Sequence, residues 1–155
     1  MLDSTVAPAA LAVDEAAAIR AVIARAHQAW AKGDGRSYAT CFTAETGDTA
    51  FFGLCRDGRA ANAELHGALF QCAAKGAAID ARIEALEWLS DDVALVRTAS
   101  FGATSGYQTY VMVRRAGAWR IRSFQHTPVS PLASGIARWA RRRGAPISPA
   151  LSSRP

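Results

Sequence analysis

The chain has little of most residue types that announce a chemistry. Its three cysteines, Cys41, Cys55 and Cys72, are odd in number and show no CxxC spacing. That argues against a disulfide framework and for reduced thiols in a cytoplasm. Histidine is equally scarce: His27, His66 and His126 fall on separate predicted elements with no i, i+4 pair, so no metal site is expected. No GxGxxG follows a strand, and neither a flavin signature nor a nucleophile elbow is present, so no cofactor and no Ser-His-Asp mechanism is expected. No apolar run approaches the ~20 residues needed to span a bilayer. The first residues lack a basic region, and Pro8 and Asp14 interrupt their small apolar side chains, a pattern that does not fit a secretory signal. Lysine is confined to Lys32 and Lys75, while alanine is abundant, a bias compatible with a GC-rich bacterial genome.

Acid is missing from one end. The net charge of +5 suggests nucleic-acid binding until it is located. Five of the eighteen basic residues (Arg138, Arg141, Arg142, Arg143 and Arg154) lie beyond Val129, where there is no Asp or Glu. The other thirteen balance all thirteen acidic residues, so the body is neutral and a nucleic-acid partner is not expected.

What is present is enough apolar residue, half of the total, to build one core in 155 residues. Residues 1–13 read as a flexible leader and 130–155 as a basic, disordered tail. Leu132, Ile136 and Trp139 lie in that tail at helical spacing, but prolines crowd its last ten residues. Asp14 suits an N-cap, and Ile19, Val22, Ile23, Ala26 and Trp30 form the apolar stripe of an amphipathic helix that Gly33 ends. Asp34 can cap a short second helix burying Tyr38, Cys41 and Phe42. Residues 43–49 read as loop and 50–55 as a short strand. A third helix is predicted from about Ala60 to Ala73, with Leu65, Leu69 and Phe70 as its apolar face and Asn62 and His66 near that face.

Alternating strands follow. The parity change from Ile79, Ala81, Ile83 and Ala85 to Leu86 and Trp88 predicts a β-bulge near Ala85–Leu86. Ser90-Asp91-Asp92 turns into a central strand over 93–101, and strands over 107–115 and from Trp119 are joined by Ala116-Gly117. Helices followed by a bent, mainly antiparallel sheet make an α+β fold. In the last strand Trp119 and Ile121 alternate with Arg120 and Arg122, and Gln125 and Thr127 continue the Trp119 parity. If Trp119 and Ile121 face the helices, Gln125 faces a cavity, while Phe124 and His126 face outward as a dimer surface.

Ala29-Trp30-Ala31-Lys32-Gly33-Asp34, Phe42, Gly58-Arg59 ahead of a helix carrying His66, Asp92-Val93-Ala94-Leu95-Val96, and Trp119-Arg120-Ile121 with Phe124-Gln125-His126-Thr127 occur in order over residues 14–129. This combination resembles the SnoaL-like branch of the NTF2-like superfamily, more narrowly the SgcJ/EcaC-type proteins of bacterial natural-product clusters. The resemblance implies an α+β cone, commonly a homodimer, enclosing a site for a small, apolar or polyketide-like molecule. Cyclases, isomerases, dehydratases and non-enzymatic binders share that fold, so function must come from the site. Two departures stand out: relatives often carry Asn where this chain has His126, and an acidic pair followed by an aromatic is usual at Glu45-Thr46-Gly47-Asp48.

His66 is the candidate acid/base, since an imidazole near neutrality can take and return a proton; the alternative is a packed helix histidine. Gln125 is a candidate hydrogen-bond donor to a ligand carbonyl. Trp30, Tyr38 and Phe51 are candidate walls, Tyr38 with a polar handle, or simply core. Arg97 lies on an apolar stripe, to be paired with an anion if buried or hydrated at a rim. Tyr110 shares a strand face with Gln108, facing either pocket or outer surface. Asp34 suits a helix cap better than an acid–base role. The expected activity is cofactor-independent proton transfer on a carbonyl compound, of cyclase or isomerase type, in bacterial secondary metabolism. A ligand carrier or a dimeric interaction module is the alternative.

Overall fold

The structure, a computed structural model, describes residues 9–49, 55–72, 79–101 and 105–129, with 135–136, 139–140 and 142–144 beyond them. Three helices, α1 (Ala9–Lys32), α2 (Gly35–Thr40) and α3 (Arg59–Cys72), accompany six strands. These are β1 (Phe42–Thr49), β2 (Cys55–Asp57), β3 (Asp80–Ser90), β4 (Val93–Phe101), β5 (Gly106–Arg115) and β6 (Ala118–Pro128). They form one sheet in the order β2-β1-β6-β5-β4-β3, parallel only between β1 and β6. The expected α+β class is observed.

The apolar stripe of α1 is the core's spine: Ile19, Val22, Ile23, Ala26 and Ala29 are all buried. The helix is described from Ala9, so Asp14 lies inside it rather than at its cap, and residues 1–8 of the expected leader lie outside the described residues. An alanine-rich segment has high helix propensity and needs no polar cap to continue upstream. At the other end Gly33 takes φ +69°, its N–H bonds the Trp30 carbonyl, and Asp34 N–H bonds Ala29. This pair of bonds is a Schellman stop, which demands a left-handed residue. Asp34 then caps α2 through Ser37 N–H at 2.9 Å; that hydrogen bond lowers the carboxyl's pKa and gives Asp34 a structural role. Gly35 lets α2 meet α3 closely, because a Cβ there would lie 2.8 Å from the Gly67 backbone nitrogen.

Glu15 fastens α1 to the lower end of the sheet. Its carboxylate accepts from the Trp119 indole N–H and pairs with Arg114 at 2.5 Å, and Arg114 also holds Asp92 at 2.8 Å. Ala116 and Gly117 both take positive φ, +49° and +74°. Such a turn matches the twist of β5 and β6.

The sheet has four register shifts, at Phe42/Gly47, Ile83/Ala85, Trp88/Ser90 and Val111/Met112, and two of them bear on the expectations from sequence. One lies at Glu84, between Ile83↔Thr98 and Ala85↔Arg97, a residue before the expected place. The other was not anticipated: Val111 pairs with Ser123 but Met112 pairs with Ile121, leaving Arg122 as an extra residue in β6. A single extra residue reverses the facing of everything after it. The stretch expected to be loop, 43–49, is strand β1, and 50–54, including Phe51, lie outside the described residues. In the tail, five of the seven described residues are helical; Ile136 and Trp139 are exposed. The rest of the tail lies outside the described residues. Among the described residues no helix is long and apolar enough to cross a membrane.

Candidate functional site

The sheet's inner face is legible as rows of paired residues running across the strands. The first row is Phe42, Ile121, Met112, Ala94 and Trp88, apolar throughout. The next is Asp48, Phe124, Tyr110, Val96 and Leu86. Then come His126, Gln108, Thr98 and Ile83, and finally Pro128, Gly106, Ser100 and Ala81. Along β4 and β5 successive rows are two residues, roughly 7 Å, apart; β6 takes three residues and β1 six to pass from the first row to the second. Polar side chains are absent from the first row and most numerous in the third, yet Asp48, Thr98, Ser100, Gln108 and Tyr110 are all buried.

Against the Asp48 end stands α3, whose most buried stripe is Asn62, His66 and Phe70 at i, i+4, i+8. Leu65 and Leu69, the expected apolar face, are only partly buried. Asn62 serves both neighbours. Its side-chain amide donates to Asp48 Oδ2 at 2.5 Å, and its backbone carbonyl lies 2.8 Å from His66 Nδ1. A carbonyl cannot donate, so Nδ1 carries the proton and Nε2 offers its lone pair. Burial holds His66 below its usual pKa, opposed by the Asn62 hydrogen bond, and keeps the ring neutral near pH 7.

Aromatic rings close the site. Tyr38 lies 4.3 Å from the His66 ring, and Trp30 makes edge contacts with Tyr38 at 5.8 Å, His66 at 5.5 Å and Phe70 at 5.0 Å. Burial, and then the charge of Asp48, raises the Tyr38 phenol well above its usual pKa, so it remains a donor. Asp48 is the unusual group. Burial pushes its carboxyl up to about 7, with the Asn62 amide only partly offsetting the shift.

Buried polar atoms are nearly always paired, so exceptions mark places of interest. Among the described residues, Trp30 Nε1, Asp48 Oδ1 and Asn62 Oδ1 are buried without a hydrogen-bond partner. Trp30 Nε1 is a donor, on a ring that contacts Tyr38 and His66, and the two acceptors belong to the hydrogen-bonded pair Asp48 and Asn62. Such a constellation can bind a polar group from both sides and move a proton.

A second set of polar groups continues along the sheet. Tyr110 meets His27 Nε2 through its hydroxyl at 3.1 Å. Thr98 Oγ1 donates to Gln108 Oε1, Gln108 Nε2 donates to Ser100 Oγ at 2.8 Å, and Ser100 donates to the Gly106 carbonyl at 3.2 Å. Burial depresses His27 to about 4 and raises the Tyr110 phenol, so both are neutral at pH 7.

Of the residues expected from sequence, His66, Tyr38 and Trp30 are brought together, and Tyr110 faces inward one row-mate away from Asp48. Gln125 is not: it is exposed, because the Arg122 bulge turns it outward and brings Phe124 and His126 in. Phe124 packs on Tyr110 with ring centroids 5.0 Å apart, so the expected dimer surface loses both residues. Arg97 is also outside, its side chain 57% exposed and paired with Glu87 at 3.0 Å. Asp48, Asn62, Thr98 and Gln108 were missed as site residues. Their available signal was period-2 polarity, Thr46 with Asp48 and Thr98 with Ser100, in segments whose buried face is polar. Among the described residues no three His, Cys, Asp or Glu side chains group as metal ligands.

A helix layer against a curved six-stranded sheet, with β1 parallel to β6, can be compared with solved structures. A Nostoc punctiforme domain of unknown function with a cystatin-like fold superposes with a TM-score of 0.70 at 20% identity, covering 88% of each chain. A ketosteroid isomerase-like protein from Erwinia carotovora atroseptica gives a TM-score of 0.66 at 20% identity, over 74% of this chain and 96% of that one. The chain has an NTF2-like, cystatin-like fold. An NTF2-like protein of unknown function from Silicibacter pomeroyi gives 0.58 at 16% identity, over 74% and 98%. No protein-family model and no curated protein sequence matches the chain. At these identities the NTF2-like likeness carries the architecture, and the chemistry must be argued from Asp48 and its surroundings.

Proposed function

We propose that the chain binds a small, largely apolar carbonyl compound and catalyses a proton transfer on it without a cofactor, as an isomerase or cyclase does. The observation that carries this reading is the buried Asp48 carboxyl, with Oδ1 unpartnered, facing a site that also holds an unpartnered indole N–H. As carboxylate, Asp48 takes a proton from the carbon next to the carbonyl. The oxygen, which gains the charge, accepts hydrogen bonds from Tyr38 O–H and Trp30 Nε1–H. Asp48 then returns the proton, to another carbon in an isomerisation or after ring closure in a cyclisation. His66 Nε2, as an acceptor, orients or deprotonates a ligand hydroxyl, and Asn62 steadies the carboxyl. A role for His66 alone as acid/base is a narrower version of the same proposal. Similarity to a ketosteroid isomerase-like protein agrees with this class of reaction but does not choose its substrate.

Hydrogen–deuterium exchange at a model ketone tests the proposal without knowledge of the natural substrate. In D₂O the wild-type chain is expected to accelerate deuterium uptake at the α-carbons of 2-tetralone, read by mass spectrometry. The rate should rise with pH through about 7 as Asp48 ionises. Asp48→Asn should lose on the order of 10²–10³ of the acceleration. Equal rates for the two proteins, or none above buffer, would leave the carrier reading in its place.

A further inference from the structure

The polar end of the inner face plays no part in the proton transfer. Thr98, Ser100 and Gln108 are 0%, 4% and 4% exposed, on the interior strands β4 and β5. Interior positions of central strands ordinarily carry apolar side chains, because buried polar groups cost free energy unless bonded. Here the bonds are made, but they leave capacity over. Gln108 has four hydrogen-bonding positions, and Thr98 and Ser100 use two. One amide N–H and one oxygen lone pair remain for a ligand. His126 completes the row, turned inward by the bulge, and its ring occupies room made by Gly106, where a Cβ would collide with it. The Phe124–Tyr110–Val96–Leu86 row separates this polar row from the first, apolar one, and carries Asp48 at its edge.

We propose that His126, Gln108 and Thr98, with Ser100 behind them, form a second ligand subsite, one row or roughly 7 Å further along the strands than Asp48 and one, two and three strands across from it, each strand adding about 4.8 Å. It takes a carbonyl or hydroxyl at the far end of an elongated, otherwise apolar molecule. The ligand class is thereby narrowed to compounds with oxygen at both ends of a rigid apolar body. This inference rests on the reading of the Asp48 end as the reacting end.

Two fluorescent probes of one shape separate the ends. 2-Naphthol carries one hydroxyl, and 2,6-dihydroxynaphthalene carries a second at the opposite end. The wild-type chain is expected to bind the dihydroxy probe about tenfold more tightly, as one added buried hydrogen bond allows. Thr98→Val with Gln108→Leu, which removes both partners together, should shrink that preference to about twofold and leave 2-naphthol affinity unchanged. Ser100→Ala, a smaller change, should reduce the preference partway, and circular dichroism confirms that each variant folds. Equal binding of the two probes by wild type, or a preference that survives in both variants, overturns the subsite; so does failure of either probe to bind. Asp48→Asn distinguishes the two readings. If it leaves the exchange at 2-tetralone untouched while the row variants still abolish the preference, the subsite stands and the assignment of Asp48 falls.

Discussion

At pH 8, Asp48→Asn is expected to unfold at a temperature roughly 10 °C higher than the wild-type chain, while losing the exchange activity. Asp48 is buried, and its carboxyl is raised from 3.8 to about 7. Between these values the folded chain holds a proton that the unfolded chain releases. Stability therefore falls as pH rises from about 4 to about 7 and stays low above it. About three pKa units at ~1.36 kcal/mol each make the ionised carboxylate cost roughly 4 kcal/mol. Asparagine has nearly the same shape and no charge to desolvate. The difference between the two proteins should be small at pH 4 and full at pH 8, read by thermal unfolding across that range. An Asp48→Asn chain less stable than wild type at pH 8 would mean that the anion is well held, and would remove the basis for a poised base. A group that destabilises its own fold and is placed among unpartnered polar atoms is the pattern of a functional site.

Phe124→Ala is expected to cost roughly 2–4 kcal/mol, a large part of the stability of an ordinary domain, while Gln125→Ala should stay within about 0.5 kcal/mol. The extra residue Arg122 turns Phe124 onto Tyr110, ring centroids 5.0 Å apart, and leaves Gln125 exposed. Regular alternation from Trp119 and Ile121 would give the opposite facing and the opposite order of costs. Urea unfolding measures both variants. Equal costs, or a larger cost for Gln125→Ala, would show that the bulge does not set the facing of β6.

The bulge also explains where sequence reading failed. The four long strands, the Ala116-Gly117 turn, the α1 stripe and the stop at Gly33 were legible because each is written in local periodicity or turn chemistry. The Glu84 bulge was legible too, since apolar residues change parity around it. At Arg122 the alternation of Trp119 and Ile121 with two arginines runs straight into the extra residue, and Phe124 alone breaks the parity. Gln125 was read inward and His126 outward for that reason. β1 was hidden by a different cause. Its buried positions include Thr43, Thr46 and Asp48, so an interior strand looks like a polar loop. The residues closest to the proposed chemistry were thus the hardest to see, because a site asks for polar side chains where folding rules expect apolar ones. Helical spacing did place Asn62 near His66, yet only the tertiary contact with Asp48 reveals what Asn62 holds.

The central claim is that Asp48 titrates near neutrality inside the folded chain. Carbon-13 NMR of aspartate-labelled protein, with Asp48→Asn to assign the signal, measures this directly. A side-chain carboxyl midpoint of about 7 is expected. A midpoint near the ordinary aspartate value of about 4 would contradict it.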